Sequence, residues 1–180
     1  TPPLAVLQIK NEIIKMAETA LNNFKTSCEI ICTLDYGEIE AFRQRENQLN
    51  FLNKELVRFI VRLLKEDLNE KDRIYLTTAI RSITDLERVG DYAENIVEYA
   101  DKLKEVNGSF SQKAAEEINE VKELIEKLYA EVIEAYKNGD KKALDKAYAV
   151  EERVDKVTEQ MMQNHIERLS AGECTADVGA

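Results

Sequence analysis

From Leu4 to Ala180 the chain contains no proline, because its two prolines are Pro2 and Pro3, and only six glycines punctuate the whole length. Without internal breakers, long stretches can keep one hydrophobic period, and that period is helical: apolar residues recur at three and four. The pattern predicts helices over about 7–34, 38–64, 72–103, 112–137 and 140–170. The breaks between them fall at Asp35-Tyr36-Gly37, at the polar run Lys65 to Lys71, at Val106-Asn107-Gly108-Ser109, and at Asn138-Gly139-Asp140. In the last of these, Gly139 suits a helix C-cap and Asp140 an N-cap. Residues 171–180 are small and polar and read as loop. The expected fold class is all-α.

The halves repeat. Ala17, Ala20, Phe24 and Ile31 of the first helix align with Ile118, Val121, Ile125 and Val132 of the fourth. Glu46, Leu49, Asn50, Leu52 and Leu56 of the second align with Glu151, Val154, Asp155, Val157 and Met161 of the fifth. The unit is therefore a helical trio, which predicts tandem up-down three-helix bundles over 1–105 and 110–180. Extending the register sets Ala180 opposite Tyr75, so the second bundle lacks its last helix in this chain. Two helices alone leave an apolar stripe exposed. The expected cover is another copy, making a homo-oligomer, or residues outside these 180.

Acidic residues outnumber basic ones 35 to 25, for a formal charge of −10. Phosphate backbones demand a basic footprint, so nucleic acid is excluded as a partner. No apolar run approaches the roughly 18 residues of a membrane span, and no signal peptide is read, so a soluble chain is expected. Cys28 and Cys32 stand one helical turn apart, a spacing open to a metal or redox pair; with no histidine or further cysteine near them in sequence, the reading adopted for these and Cys174 is small thiols in a reducing compartment. His165, the only histidine, is read as a packing or surface residue.

The chemistry concentrates between Arg81 and Glu98. At about 100° per residue, Ile83, Leu86, Val89, Gly90, Ala93, Ile96 and Val97 share one arc, while Glu87, Asp91, Glu94 and Glu98 line its edge. Stacked carboxylates repel. Arg81, Arg88, water or a bound cation is needed to offset them. Gly90 costs about 1 kcal/mol relative to alanine inside a helix, which predicts close approach of a neighbouring backbone or ligand.

Glu87 with Asp91, and Glu151 with Asp155, form two E-x-x-x-D pairs, each at the same offset from its apolar stripe. Spacing of four stacks both carboxylates on one face, and facing helices can converge such oxygens on a cation. In a chain with 33% charged residues the spacing also arises by chance, leaving a solvated or salt-bridged face as the other reading. Glu46 is a further candidate, though its partner position holds Asn50, a neutral and weaker ligand. No E-x-x-H occurs and no glycine-rich phosphate loop, so a ferritin-like oxidase and a nucleotide enzyme are both disfavoured. A metal-dependent oxidase or hydrolase, and a metal-free scaffold, stand as the remaining alternatives.

Asp85-Leu86-Glu87-Arg88-Val89-Gly90-Asp91-Tyr92-Ala93-Glu94-Asn95-Ile96 resembles the signature helix of PhoU-type proteins, and Glu151-Glu152-Arg153-Val154-Asp155 resembles the motif of their second repeat. Thr1-Pro2-Pro3-Leu4-Ala5 and the stretch from His165 to Cys174 are similar to the cytoplasmic C-terminal region of bacterial sodium-dependent phosphate cotransporters. The resemblance implies a PhoU-like pair of three-helix bundles and a non-catalytic regulator of phosphate uptake. It further implies a position at the cytoplasmic side of the cell membrane, with the membrane domain of a phosphate transporter as partner. The alternative it implies is a free-standing PhoU-type regulator of an ATP-driven phosphate transporter. By the same resemblance Glu87, Asp91, Glu151 and Asp155, with Asp85 as a neighbour and Glu46 as a further candidate, are the expected ligands of iron, zinc or another divalent metal.

Overall fold

The computed structural model describes residues 2–138, 141–166 and 177–178. Five helices carry the fold: α1 (Pro2–Thr33), α2 (Ile39–Leu63), α3 (Glu70–Glu105), α4 (Gln112–Asn138) and α5 (Lys141–Met161), the last running on as a π-helical turn over Met162–Ile166. The Gly139-Asp140 cap and the expected continuation of α5 beyond Ile166 lie outside the described residues, as do Cys174 and the side chain of His165.

Local chemistry places the ends. α1 stops where Leu34 takes a positive φ of 55°, and the turn that follows is held by side chains. Thr33 Oγ1 accepts from the Asp35 amide at 3.1 Å and Asp35 Oδ1 from the Gly37 amide at 2.9 Å. α3 starts at Asn69, whose side chain accepts from the Asp72 amide at 2.7 Å. Acids in its first turn and lysines in its last suit the helix dipole. It ends at Asn107, whose φ of 53° falls in the left-handed region that asparagine tolerates. Gly108–Ser109 (β1) then pairs antiparallel with Asp177–Val178 (β2), so part of the expected C-terminal loop is a short bridge.

α1 packs most extensively on α3 and also contacts α2 and α4; α4 packs on α5, and α5 returns to α3. One continuous core results, running from Ile9, Phe24 and Phe42 through Leu76 and Leu86 to Ile125, Tyr136 and Met161. This arrangement corrects the expectation of a bare stripe on the second half. Ile118, Ile125, Leu128 and Val132 of α4 and Val150, Val154 and Met161 of α5 are buried, because α1 and α3 cover them from within the same chain. Val121, Val157 and Met161, with Glu117, Glu120, Lys156, Gln160 and Asn164, border an open groove of about 760 Å³ between α4 and α5. Cys28 is buried and Cys32 half-buried, and desolvation raises both thiol pKa values. Among the described residues, no helix is long and apolar enough to cross a membrane.

Candidate functional site

α3 lies between α2 and α5, and its two polar edges face different neighbours. Asp85 and Arg88 stand on one edge of the apolar arc, while Glu87, Asp91 and Glu94 stand on the other, a separation that follows from about 100° of rotation per residue. Two carboxylate clusters result.

The first joins α3, α4 and α5. Glu151 is buried to 4% exposure, in an interior where an ionised carboxylate is costly. Its Oε2 accepts from Ser82 Oγ at 3.1 Å, and Tyr136 in turn donates its hydroxyl to Ser82. Arg88 Nη1 donates to Asp155 Oδ2 at 2.9 Å and approaches Asp85 Oδ1 at 4.0 Å. Glu151 Oε1 and Asp155 Oδ1 are buried without a hydrogen-bond donor facing them. Both acids stand within hydrogen-bond reach of Asp85, and a hydrogen bond between two carboxyl groups needs a proton on one of them. A proton held by Glu151 supplies a donor between these carboxyl groups. Burial first, then the Asp85 charge, pushes Glu151 up to about 8, so it is mostly a neutral acid at pH 7. The same two causes raise Asp155, opposed by Arg88. Burial and the Glu151 charge also raise Tyr129 and Tyr136 far above the ordinary phenol value, keeping both hydroxyls protonated.

The second cluster joins α2 and α3. Glu46 is raised by burial and then by a hydrogen bond and charge from Glu94, with Arg43 opposing and Asp91 adding a smaller push. Asp91 is raised by burial and by the Glu87 and Glu94 charges. Asn50 is exposed.

The structure thus brings Glu151 and Asp155 together as expected, but assigns Asp85 to them rather than to Glu87 and Asp91, because six residues carry the helix from one edge of its arc to the other. Glu46 meets the acidic edge through Glu94, so Asn50 is not needed for that contact. Arg81 does not offset the acidic edge; its guanidinium lies over the Tyr148 ring at 3.7 Å, and Arg88 serves the other cluster. Gly90 faces the Leu49 side chain, with 3.6 Å left to an added Cβ, so no close backbone approach explains it. Ser82 and Tyr136 were not singled out by the sequence, and Glu94 stood in the acidic row without being expected as a ligand. Ser82 had a signal, a polar residue inside the arc of Ile83, Leu86 and Ala93; Tyr136 had none beyond its place in an apolar stripe.

The donor set, hard carboxylate oxygens with two orphaned acceptors, suits a cation in chemistry. Its geometry does not: among the described residues, no group of three or more His, Cys, Asp or Glu side chains is arranged to hold a metal ion. As packed, Arg88, Ser82 and shared protons answer the charge.

Residues 13–100 match the family described as the PhoU domain. That segment, just under half of the chain, is similar to a PhoU domain. It contains Glu46, Asp85, Glu87, Asp91 and Glu94, while Glu151 and Asp155 face it from α5, beyond the matched residues. Over 152 residues the chain is 25% identical to a protein of Clostridium acetobutylicum named phosphate-specific transport system accessory protein PhoU homolog, an alignment covering 83% of this chain and 67% of that relative. No solved structure matches the chain.

Proposed function

We propose that the chain is a non-catalytic regulator of phosphate transport that docks on the membrane domain of a sodium-dependent phosphate transporter, at the cytoplasmic side of the membrane, and biases its conformational balance. The match of residues 13–100 to the PhoU domain and the name of the Clostridium relative support a role in phosphate transport. The terminal motifs Thr1 to Ala5 and His165 to Cys174 support the cotransporter setting. A non-catalytic role is supported by the sealing of the polar cluster: Ser82 and Glu151, at 1% and 4% exposure, are out of reach of a substrate.

The single observation that carries a regulatory reading is the position of α3. One of its edges is tied to α5 through Arg88 and Asp85, the other to α2 through Glu94, so a charge arriving at either edge changes how α3 is held. The exposed acids Asp91 and Glu98 offer that edge to basic residues of a partner. Co-expression of the chain with the transporter's membrane domain should give a co-purifying complex, and Glu87→Gln with Asp91→Asn should weaken it. Unaltered phosphate uptake on removal of the chain would defeat the proposal.

The free-standing regulator of an ATP-driven phosphate transporter is the second reading, favoured by the relative's name, which is that of a transport-system accessory protein. Pull-down with the ATP-driven transporter instead of the cotransporter would select it. Iron or zinc binding requires Asp85, Glu151 and Asp155 to draw into a coordination set, and elemental analysis of protein purified without chelator reports on it directly.

A further inference from the structure

Side-chain contacts establish which residues stand level along the bundle. Asn23 on α1 donates to the Phe42 carbonyl on α2 and accepts from Arg45, which also reaches Thr26, so α1 and α2 run antiparallel with Leu7 level with Val61. Tyr36, just after α1, donates to Asp101 on α3, so these two helices run parallel and Leu7 stands level with the first turns of α3. Arg73 ties that start to the end of α2 by donating to the Leu64 and Glu66 carbonyls. Lys10 donates to the Lys137 carbonyl, which brings the end of α4, and with it the start of α5, to the same end.

That end carries Leu4, Leu7, Val61 and Ile74, exposed to 55%, 50%, 43% and 40%. The other large exposed apolar residues described, Phe51 and Val106, stand singly elsewhere. Scattered apolar side chains need no explanation, whereas four from three helices at one end mark a contact surface. The charge there also departs from that of the whole chain. Arg62, Lys65, Lys71, Lys142 and Lys146 are exposed at this end, and together with Lys10, Arg73 and Lys137 they outnumber Glu66, Asp67, Glu70, Asp72 and Asp145, while Arg58 is paired with Glu55 at 3.3 Å. The formal −10 is therefore carried by the rest of the molecule. An anionic surface repels that rest and attracts this end.

We propose that this end of the bundle rests on an anionic lipid surface, its apolar side chains entering the headgroup layer and its lysines and arginines facing lipid phosphates. The proposal goes beyond the transport reading and does not depend on it. Failed vesicle binding would leave co-purification with a transporter unaffected, and failed co-purification would leave vesicle binding intact.

The test is co-sedimentation of the full 180-residue chain with vesicles of phosphatidylcholine, with and without phosphatidylglycerol. Binding is expected to the anionic vesicles only, falling as salt rises. Leu7→Glu with Val61→Glu should weaken it about tenfold or more, while Phe51→Glu, exposed but remote, should bind as the parent does. All three side chains are exposed, so circular dichroism should show unchanged helix content. No binding to anionic vesicles, equal binding by the double variant, or equal weakening by Phe51→Glu would overturn the proposal. So would concentration-dependent self-association abolished by the double variant, which would assign this end to a second copy.

Discussion

Glu151 is a carboxyl group whose behaviour is decided by its surroundings. In the folded chain it keeps its proton to about pH 8, against an ordinary value of 4.5. Between those values the folded state binds more protons than the unfolded one, so stability is greatest at the acid side and falls as pH rises through the window. Asp155 and Glu46, also raised, act in the same direction. The drop attributable to Glu151 is on the order of a few kcal/mol. Glu151→Gln keeps a donor toward Asp85 without a charge to form, and urea midpoints at pH 5, 7 and 9 should fall less steeply than in the parent; an unchanged slope would contradict the shared-proton account. At Gly90, helical backbone and 3.6 Å of clearance to Leu49 remove any packing need for glycine. Gly90→Ala should raise stability by about 1 kcal/mol, read as a higher urea midpoint at constant m-value.

Among the elements, α3 bears the largest share of the organisation. Its 36 residues present an apolar arc to α1 and polar edges to α2 and α5. Its start is held by one hydrogen bond from the Asp72 amide to Asn69. Asn69→Ala should cost about 1 kcal/mol, with faster hydrogen exchange confined to the first turn of α3. Unchanged stability together with unchanged exchange would mean that Arg73, bonded to the Leu64 and Glu66 carbonyls, holds the corner by itself. The helices were legible because breakers are rare and apolar residues recur at helical spacing, so α2, α3 and α4 fall within two residues of their expected ends. α1 begins earlier than expected, since Pro2 and Pro3 are tolerated in a first turn where no amide partner is needed.

At the level of the whole molecule, the core is continuous across both halves, with α1 touching α4 and α3 touching α5. Equilibrium unfolding should therefore show one transition, with circular dichroism and tyrosine fluorescence coincident. Two separated transitions would mean that each half folds on its own.

By itself the sequence determined that the chain is helical, where its helices break, and that carboxylates gather along α3 and α5, because each of these depends on spacing within a single segment. Only the tertiary structure decided which acids meet. Asp85 left Glu87 for Glu151, Glu46 found Glu94, and the apolar stripe of α4 and α5 was covered by α1 and α3. A helix's period states which face a residue occupies, while the neighbour that faces it is chosen by the packing of the whole.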